Sequence, residues 1–441
     1  SPQNSYGGPD GLKRLVDAAH RRGMAVLLDV VYNHFGPEGN YTSAFGPYTT
    51  SHYKTLWGDA VNFDNAWSYG VRDFFIANAL YWLEQFHIDG LRLDAIQGIE
   101  DMSAVHFLRE LRDRVSDWQR ERATWPRRLI AESDLNDSRV IRPPEQGGYG
   151  IDAQWSDDFH HPLHTALTGE DRGYYADYLA FDDMQKALRH GVVYDGRFSW
   201  SRMRRHGNSF TGCRPDQLVV FSQNHDQIGN RLLGERLSVL VSFEACKLAA
   251  GAVILSPYIP LLFMGEEYAE TAPFLYFIDH SDHDLVEAIR IGRKAEFDSF
   301  RWNAEPIDPQ SPETFERCRL QWEKRHQGRH ALMYRFYRAL IRLRTSHPAL
   351  GAASAYRDFT AERERDSRCL RCYRSGGSVA IFLNFESHDV EVALPAAIWR
   401  VLVDSADEQW GGPGGGRVDD DRAVIGGSSV LVLERSTKGE I

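Results

Sequence analysis

Cysteine is scarce in this 441-residue chain, which carries five, at positions 213, 246, 318, 369 and 372. So small and odd a set does not read as a disulfide framework. Cys369 and Cys372 form a C-x-x-C pair, but no second pair or nearby histidine completes a zinc site, so no metal is expected. Long apolar runs are missing too. No stretch reaches about 18 apolar residues, so no membrane span is expected. Residues 1–6 are polar and lack the basic and apolar blocks of a secretory signal, which favours the cytoplasm. Basic residues are outnumbered, leaving a formal net charge of −11. A chain of that sign has no general attraction for a phosphate backbone or an anionic membrane, so neither nucleic acid nor membrane is an expected partner.

What is present is a repeating unit. Leu12, Leu15, Val16 and Ala19 recur at helical spacing up to Gly23, and residues 25–31 follow as an apolar run. That run predicts a strand buried on both faces, as in parallel sheets. The unit recurs with a helical stripe over residues 71–83 and a strand over 88–93, then a helix at 107–115 and a strand at 129–131. Residues 153–155 are a shorter strand candidate. A helix over 174–189, a strand over 218–221, a helix over 238–251 and a strand over 259–264 complete the series. Alternating helices and buried strands predict an α/β fold, a (β/α)8 TIM barrel of which about six strands are visible. Residues 285–345 are charged and helical. After His347-Pro348 the chain turns to short strands at 369–373, 379–383, 390–394, 399–403 and 430–433, around a glycine-rich turn at 411–416. The expected division is therefore a catalytic barrel at 1–349 and a C-terminal all-β sandwich at 350–441.

Three barrel strands end in carboxylates. Ile88-Asp89-Gly90-Leu91-Arg92-Leu93-Asp94 puts Arg92 and Asp94 on one strand face. Glu132 stands where Leu129-Ile130-Ala131 stops, and Asp226 lies just beyond the 218–221 strand. The carboxyl ends of barrel strands converge on one face, where catalytic residues gather. A carboxylate pair about 5–5.5 Å apart supports retaining hydrolysis of a glycosidic bond. Asp94, held ionised by Arg92, suits the nucleophile, and Glu132, with its proton affinity raised by partial burial, suits the acid/base. Asp226 can bind two sugar hydroxyls. Asn33, His34 and His225, beside the acids, are candidates to bind the sugar. No cofactor is required, because two carboxylates suffice.

The words Asp29-Val30-Val31-Tyr32-Asn33-His34, Gly90-Leu91-Arg92-Leu93-Asp94-Ala95, Ala131-Glu132-Ser133-Asp134 and Gln223-Asn224-His225-Asp226-Gln227 resemble the four sequence regions of the α-amylase superfamily, glycoside hydrolase family 13. They stand in the family's order. The resemblance implies Asp94 as nucleophile, Glu132 as acid/base and Asp226 as transition-state stabiliser, with Asn33, His34, Arg92 and His225 lining the subsite of the attacked glucose. The flanking words at 32–41, 57–63, 131–137, 155–161 and 265–268 are most similar to the branch that cleaves the α-1,4 bond next to a terminal trehalose, with malto-oligosyltrehalose as the substrate partner. Trp155, Asp157, Asp158, His160 and His161 then become candidates for the trehalose region, while Glu266 and Glu267 are as readily structural. The family pattern also has two earlier strands and an N-terminal β-domain ahead of the residues present here. The alternatives on the same barrel are a branching or debranching enzyme and an α-amylase. An alternative of another class is a silent glucan-binding subunit, which should lack one of the three acids.

Overall fold

A computed structural model describes residues 2–36, 38–55, 58–122, 124–298, 307–351 and 359–436. Pro37 and Trp57, from the flanking words above, and residues 352–358, just past the expected boundary, lie outside them. The chain forms two compact units, Ser1–Trp155 with Gly207–Cys213, and Ser156–His206 with Arg214–Ile441. The boundary expected at residue 350 falls inside the second.

In the first unit, helix α1 (Gly8–His20) opens with Pro9, whose fixed φ suits a first turn. It leads to strand β1 (Leu27–Val30) and a small antiparallel hairpin, β2 (Thr49–Thr55) with β3 (Gly58–Val61). Then come α2 (Ser68–Gln85), β4 (Gly90–Leu93), α3 (Phe107–Arg122), β5 (Arg128–Ala131) and β6 (Ala153–Trp155). The four strands β1, β4, β5 and β6 pair in parallel in that order. Helix α3 buries Phe107, Leu108, Leu111 and Val115, the i, i+4 stripe read from the sequence. Strand β4 is buried throughout, and each leucine there contributes about 1.5–3 kcal/mol of apolar burial. The loop after β5 is pinned by the 207–213 segment: Asn208 donates to Asp137 at 2.9 Å and accepts from the Ser138 N–H at 2.8 Å.

Strand β1 departs from expectation. Only Leu27–Val30 is strand, Leu27 is half exposed, and so is Val31 beyond it. Among the described residues β1 pairs only with β4, so it is an edge strand of this sheet, and its apolar run is not covered on both faces. The polar, weakly alternating sequence of the hairpin β2–β3 carries no strand signal.

The second unit opens with α4 (Asp157–Thr168), α5 (Phe181–His190) and a two-residue ladder, β7 (Phe198–Ser199) with β8 (Arg204–Arg205). The helix expected over 174–189 splits here, with a 3₁₀ segment at Gly173–Tyr178 preceding α5. Strand β9 (Leu218–Val220) runs into the short α6 (His225–Gly229). Next are α7 (Leu237–Leu240) and α8 (Phe243–Ile254), separate because Ser242 adopts extended backbone and caps α8 through the Ala245 N–H. Strand β10 (Ile259–Pro260) pairs in parallel with β9 and is shorter than the expected 259–264. Helices α9 (His283–Asp298), α10 (Pro312–Arg317) and α11 (Gly328–Ser346) form the charged helical stretch.

The C-terminal strands are β11 (Thr360–Arg363), β12 (Cys369–Arg374), β13 (Val379–Asn384), β14 (Val390–Ala393), β15 (Ile398–Asp404), β16 (Arg417–Val418), β17 (Arg422–Ile425) and β18 (Ser429–Ser436). They form one antiparallel sheet in the order β11-β12-β13-β18-β15 and a second in the order β14-β17-β16. Phe382, Leu431 and Leu433 of the first sheet share a core with Val392, Ala423 and Ile425 of the second, which makes this region a β-sandwich. Cys369 and Cys372 are buried in β12 as free thiols.

Candidate functional site

Strand β4 sets the cluster of candidates in the first unit. A Cβ on Gly90 would stand 2.4 Å from the Arg128 carbonyl oxygen, so only glycine lets β5 approach this closely. The register then places Asp29 and Ile130 beside Arg92. Arg92 is 5% exposed. Its Nη1 donates to both Asp29 carboxylate oxygens at 2.8 and 2.9 Å and to Asp94 Oδ1 at 2.8 Å. Its Nη2 lies 2.9 Å from Glu132 Oε2. Burial opposes the guanidinium charge, but Glu132, Asp29 and Asp94 outweigh it and hold the Arg92 pKa above its ordinary value. The ring of Trp155, at the end of β6, lies 4.4 Å from the guanidinium carbon.

The chain turns sharply after Asp94. Ala95 sits in the left-handed region at φ +39°, a conformation that costs a non-glycine residue about 1–2 kcal/mol. In that turn the Ala95 N–H donates to Glu132 Oε2 at 2.7 Å, and the Ile96 N–H to the Glu132 carbonyl at 3.0 Å. The Ala95 N–H and the Arg92 guanidinium thus meet on the same Glu132 oxygen. Asn33 is fully buried, and its Nδ2 donates to the Asp94 carbonyl at 2.7 Å and to Asp94 Oδ2 at 3.0 Å. His34 Nδ1 bonds Asn33 Oδ1. Burial lowers the His34 pKa, while the Asp94 charge pulls it upward.

The second unit carries the remaining candidates. Asn224 caps α6, its Oδ1 accepting from the Gln227 N–H at 2.8 Å. His225 and Asp226 therefore occupy the first turn, their side chains 38% and 44% exposed and 3.7 Å apart. Asp157 Oδ1 accepts from Gln227 Nε2 at 3.2 Å. Asp158 is turned inward: one oxygen accepts from the Tyr178 hydroxyl, the other from the backbone N–H groups of Val193 and Tyr194. His160 is buried between the Ser222 carbonyl, 2.8 Å from Nδ1, and the Tyr175 hydroxyl, 3.0 Å from Nε2. Burial drives its pKa well below the ordinary value, so it is neutral, with Nδ1–H donating to Ser222 and Nε2 accepting from Tyr175. His161, stacked on Tyr174, is pushed down to about 3 by burial and by Arg202.

Each unit thus gathers its own candidates. Asn33, His34, Arg92, Asp94, Glu132 and Trp155 form one connected cluster, and His225, Asp226 and Asp157 are linked through α6. Asp158 and His160 are packed as scaffold rather than presented to a ligand. Sequence reasoning gave no role to Asp29, the two-pronged partner of Arg92. The parallel register was the available signal, since Asp29 and Arg92 stand opposite each other. Among the described residues no group of three or more His, Cys, Asp or Glu is arranged to hold a metal ion.

A family model for the alpha amylase catalytic domain matches residues 2–62. The malto-oligosyltrehalose trehalohydrolase of Saccharolobus solfataricus is 48% identical over 345 residues, 78% of this chain and 58% of that protein. The enzyme of the same name from Rhizobium sp. (strain M-11) is 43% identical over 404 residues, 91% of this chain and 67% of that protein. The chain therefore spans about three fifths to two thirds of the length of these relatives. A crystal structure from Salmonella typhimurium, described as an alpha amylase, superposes with a TM-score of 0.85 at 36% identity, covering 98% of this chain and 72% of that one. The fold class is that of the α-amylases, a TIM-barrel catalytic fold with a C-terminal β domain.

Proposed function

Because the chain belongs to the malto-oligosyltrehalose trehalohydrolase family, we propose that it hydrolyses the α-1,4-glucosidic bond next to the terminal trehalose of malto-oligosyltrehalose. The products are trehalose and a malto-oligosaccharide, with retention at the anomeric carbon. The observation that supports the chemistry is the bracketing of Arg92 by Asp94 and Glu132, at 2.8 and 2.9 Å. One guanidinium reaching both carboxylates suits the separation of about 5–5.5 Å that retaining chemistry requires. Asp94 attacks the anomeric carbon, aimed by Arg92 and Asn33. Glu132 protonates the departing oxygen and then deprotonates the incoming water. A glucan seated over the site excludes water from the reacting groups.

Asp226 is the third carboxylate, gripping two hydroxyls of the distorted glucose. His34 and His225 bind the same ring, and Trp155 and Asp157 meet the sugars beyond it. Asn33, Asp158 and His160 act by position. The reaction needs no cofactor, and its partner is the oligosaccharide itself. We place the catalytic barrel at 1–349 and the C-terminal domain at 350–441. A cytoplasmic setting suits cysteines that all remain thiols.

Product analysis with maltotriosyltrehalose and maltopentaose tests this reading. Trehalose and maltotriose are expected from the first, with much slower cleavage of the second. Equal cleavage of both without free trehalose contradicts the trehalose assignment and leaves a general α-glucan hydrolase.

A further inference from the structure

Glu266 is a carboxyl group sealed inside the second unit, in a 3₁₀ turn (Glu266–Tyr268) entered through Gly265 at φ +92°. Its Oε2 accepts from Gln223 Nε2 at 3.2 Å and from Ser222 Oγ at 3.5 Å. Its Oε1 accepts from the Tyr337 hydroxyl of α11 at 3.3 Å. Gln223 in turn accepts the Leu237 N–H at 3.0 Å, so its amide is fixed at both ends. Ser222 is held on its carbonyl side by His160 at 2.8 Å. Ser222, Gln223 and Asn224 are all buried, and Asn224 is the cap from which His225 and Asp226 emerge. Two residues distant in sequence, His160 and Glu266, therefore clamp the peptide that delivers Asp226.

We infer that Glu266 is a positioning residue: acting through Gln223, it fixes the Ser222–Asn224 turn and so sets where Asp226 stands. The inference deepens the proposed reaction and rests on Asp226 belonging to its site. The clamp works with the carboxyl in its neutral form. Burial, the largest influence, and the neighbouring Glu267 push Glu266 up to about 8, against the opposing pull of Gln223, the Phe263 backbone and Tyr337. The other titratable groups whose charge couples to it are Cys246 of α8 and Arg236 at the start of α7. A neutral carboxyl still accepts from Gln223 and can return a hydrogen bond to Tyr337, whereas an ionised one brings uncompensated charge into the core.

Glu266→Gln reproduces the neutral form, and Glu266→Ala removes the clamp. The test is hydrogen exchange over residues 222–229 together with the pH profile of maltotriosyltrehalose cleavage. Glu266→Ala should raise exchange in that segment at least tenfold and lower kcat at least tenfold with little change in KM. Glu266→Gln should keep wild-type protection and kcat within threefold, and it should lose the fall in kcat near pH 8. The loss in Gln223→Ala should not add to that of Glu266→Ala. Unchanged exchange in Glu266→Ala, an unaltered alkaline limb in Glu266→Gln, or additive losses overturn the inference. If Glu266→Ala does not fold, the alkaline limb of Glu266→Gln decides. If the wild-type chain cleaves no glucan, the proposed function fails while the exchange comparison still decides the role of Glu266.

Discussion

The two clusters of candidate residues, one in each compact unit, are held by opposite means. Around Asp94 and Glu132 the organiser is a full charge, a guanidinium shared among three carboxylates. Around His225 and Asp226 the organisers are neutral: a buried imidazole on the Ser222 carbonyl and, through Gln223, a buried carboxyl. Charge suits the first cluster because its carboxylates lie close together, and an arginine offsets their mutual repulsion at any ordinary pH. Neutral hydrogen bonds suit the second because the clamped peptide is buried, where an unpaired charge is costly. The first arrangement is robust to pH and fragile to deletion. The second responds to pH through Glu266.

The largest effects should come from the acids of the charged half. Asp94→Asn or Glu132→Gln should lower kcat by on the order of 10⁴-fold, as when one member of a concerted catalytic unit is removed. Glucan affinity, followed by calorimetry, should change only a few-fold. Near-normal turnover would remove these residues from the chemistry.

Next in size is the organiser itself. Arg92→Met should destabilise the protein by about 3 kcal/mol in urea unfolding, because it strands partly buried carboxylates, with Asp29 contributing least as its side chain is half exposed. Arg92→Lys should not recover activity, since one ammonium cannot span Asp29, Asp94 and Glu132. Full recovery with lysine would reduce Arg92 to a point charge.

The neutral half should reveal itself through the pH dependence of stability. His161 has a folded pKa of about 3 against 6.5, so the unfolded chain takes up the proton first and stability falls as pH drops below about 6.5. Glu266 runs the other way. Between 4.5 and about 8 the folded protein keeps a proton that the unfolded chain has lost, so stability declines as pH rises through that window. From pH 6.5 to 8 the histidine contribution is already complete, so the Tm of the wild type should fall while that of Glu266→Gln stays flatter. Parallel slopes would mean that Glu266 is ionised in the fold.

The smallest effect concerns fine placement. A Cβ at Gly98 would lie 3.3 Å from the Asn33 Cβ, so Gly98→Ala should cost about 1 kcal/mol and shift kcat only a few-fold. A loss as large as that of Asp94→Asn would show that Asn33 does more than hold Asp94.

Much of this was legible in the sequence because period and chemistry agreed. The stripe of α3, the buried run of β4 and the acids at strand ends each follow from spacing alone. The misreadings have physical causes. Residues 25–31 read as one strand, of which Leu27–Val30 pairs with β4, and composition cannot report which neighbours pair. Asp158 and His160 have the residue types of a sugar site, but their direction depends on partners at 175, 178, 193, 194 and 222 that no local pattern connects. Strands β16 and β17 are too short and too charged to stand out beside the glycine-rich turn. The left-handed Ala95 carries no composition signal, since alanine rarely adopts that conformation.

The charged half rests on Asp94 being the atom-bonding group, and a covalent trap reads this directly. A fluorinated α-glucosyl fluoride that forms the glycosyl-enzyme quickly and releases it slowly can be followed by peptide mass spectrometry. The expected adduct is one glucosyl group on Asp94, absent in Asp94→Asn. A glucosyl group on Glu132 or Asp226, or turnover with inverted anomeric configuration and no adduct, would contradict the assignment.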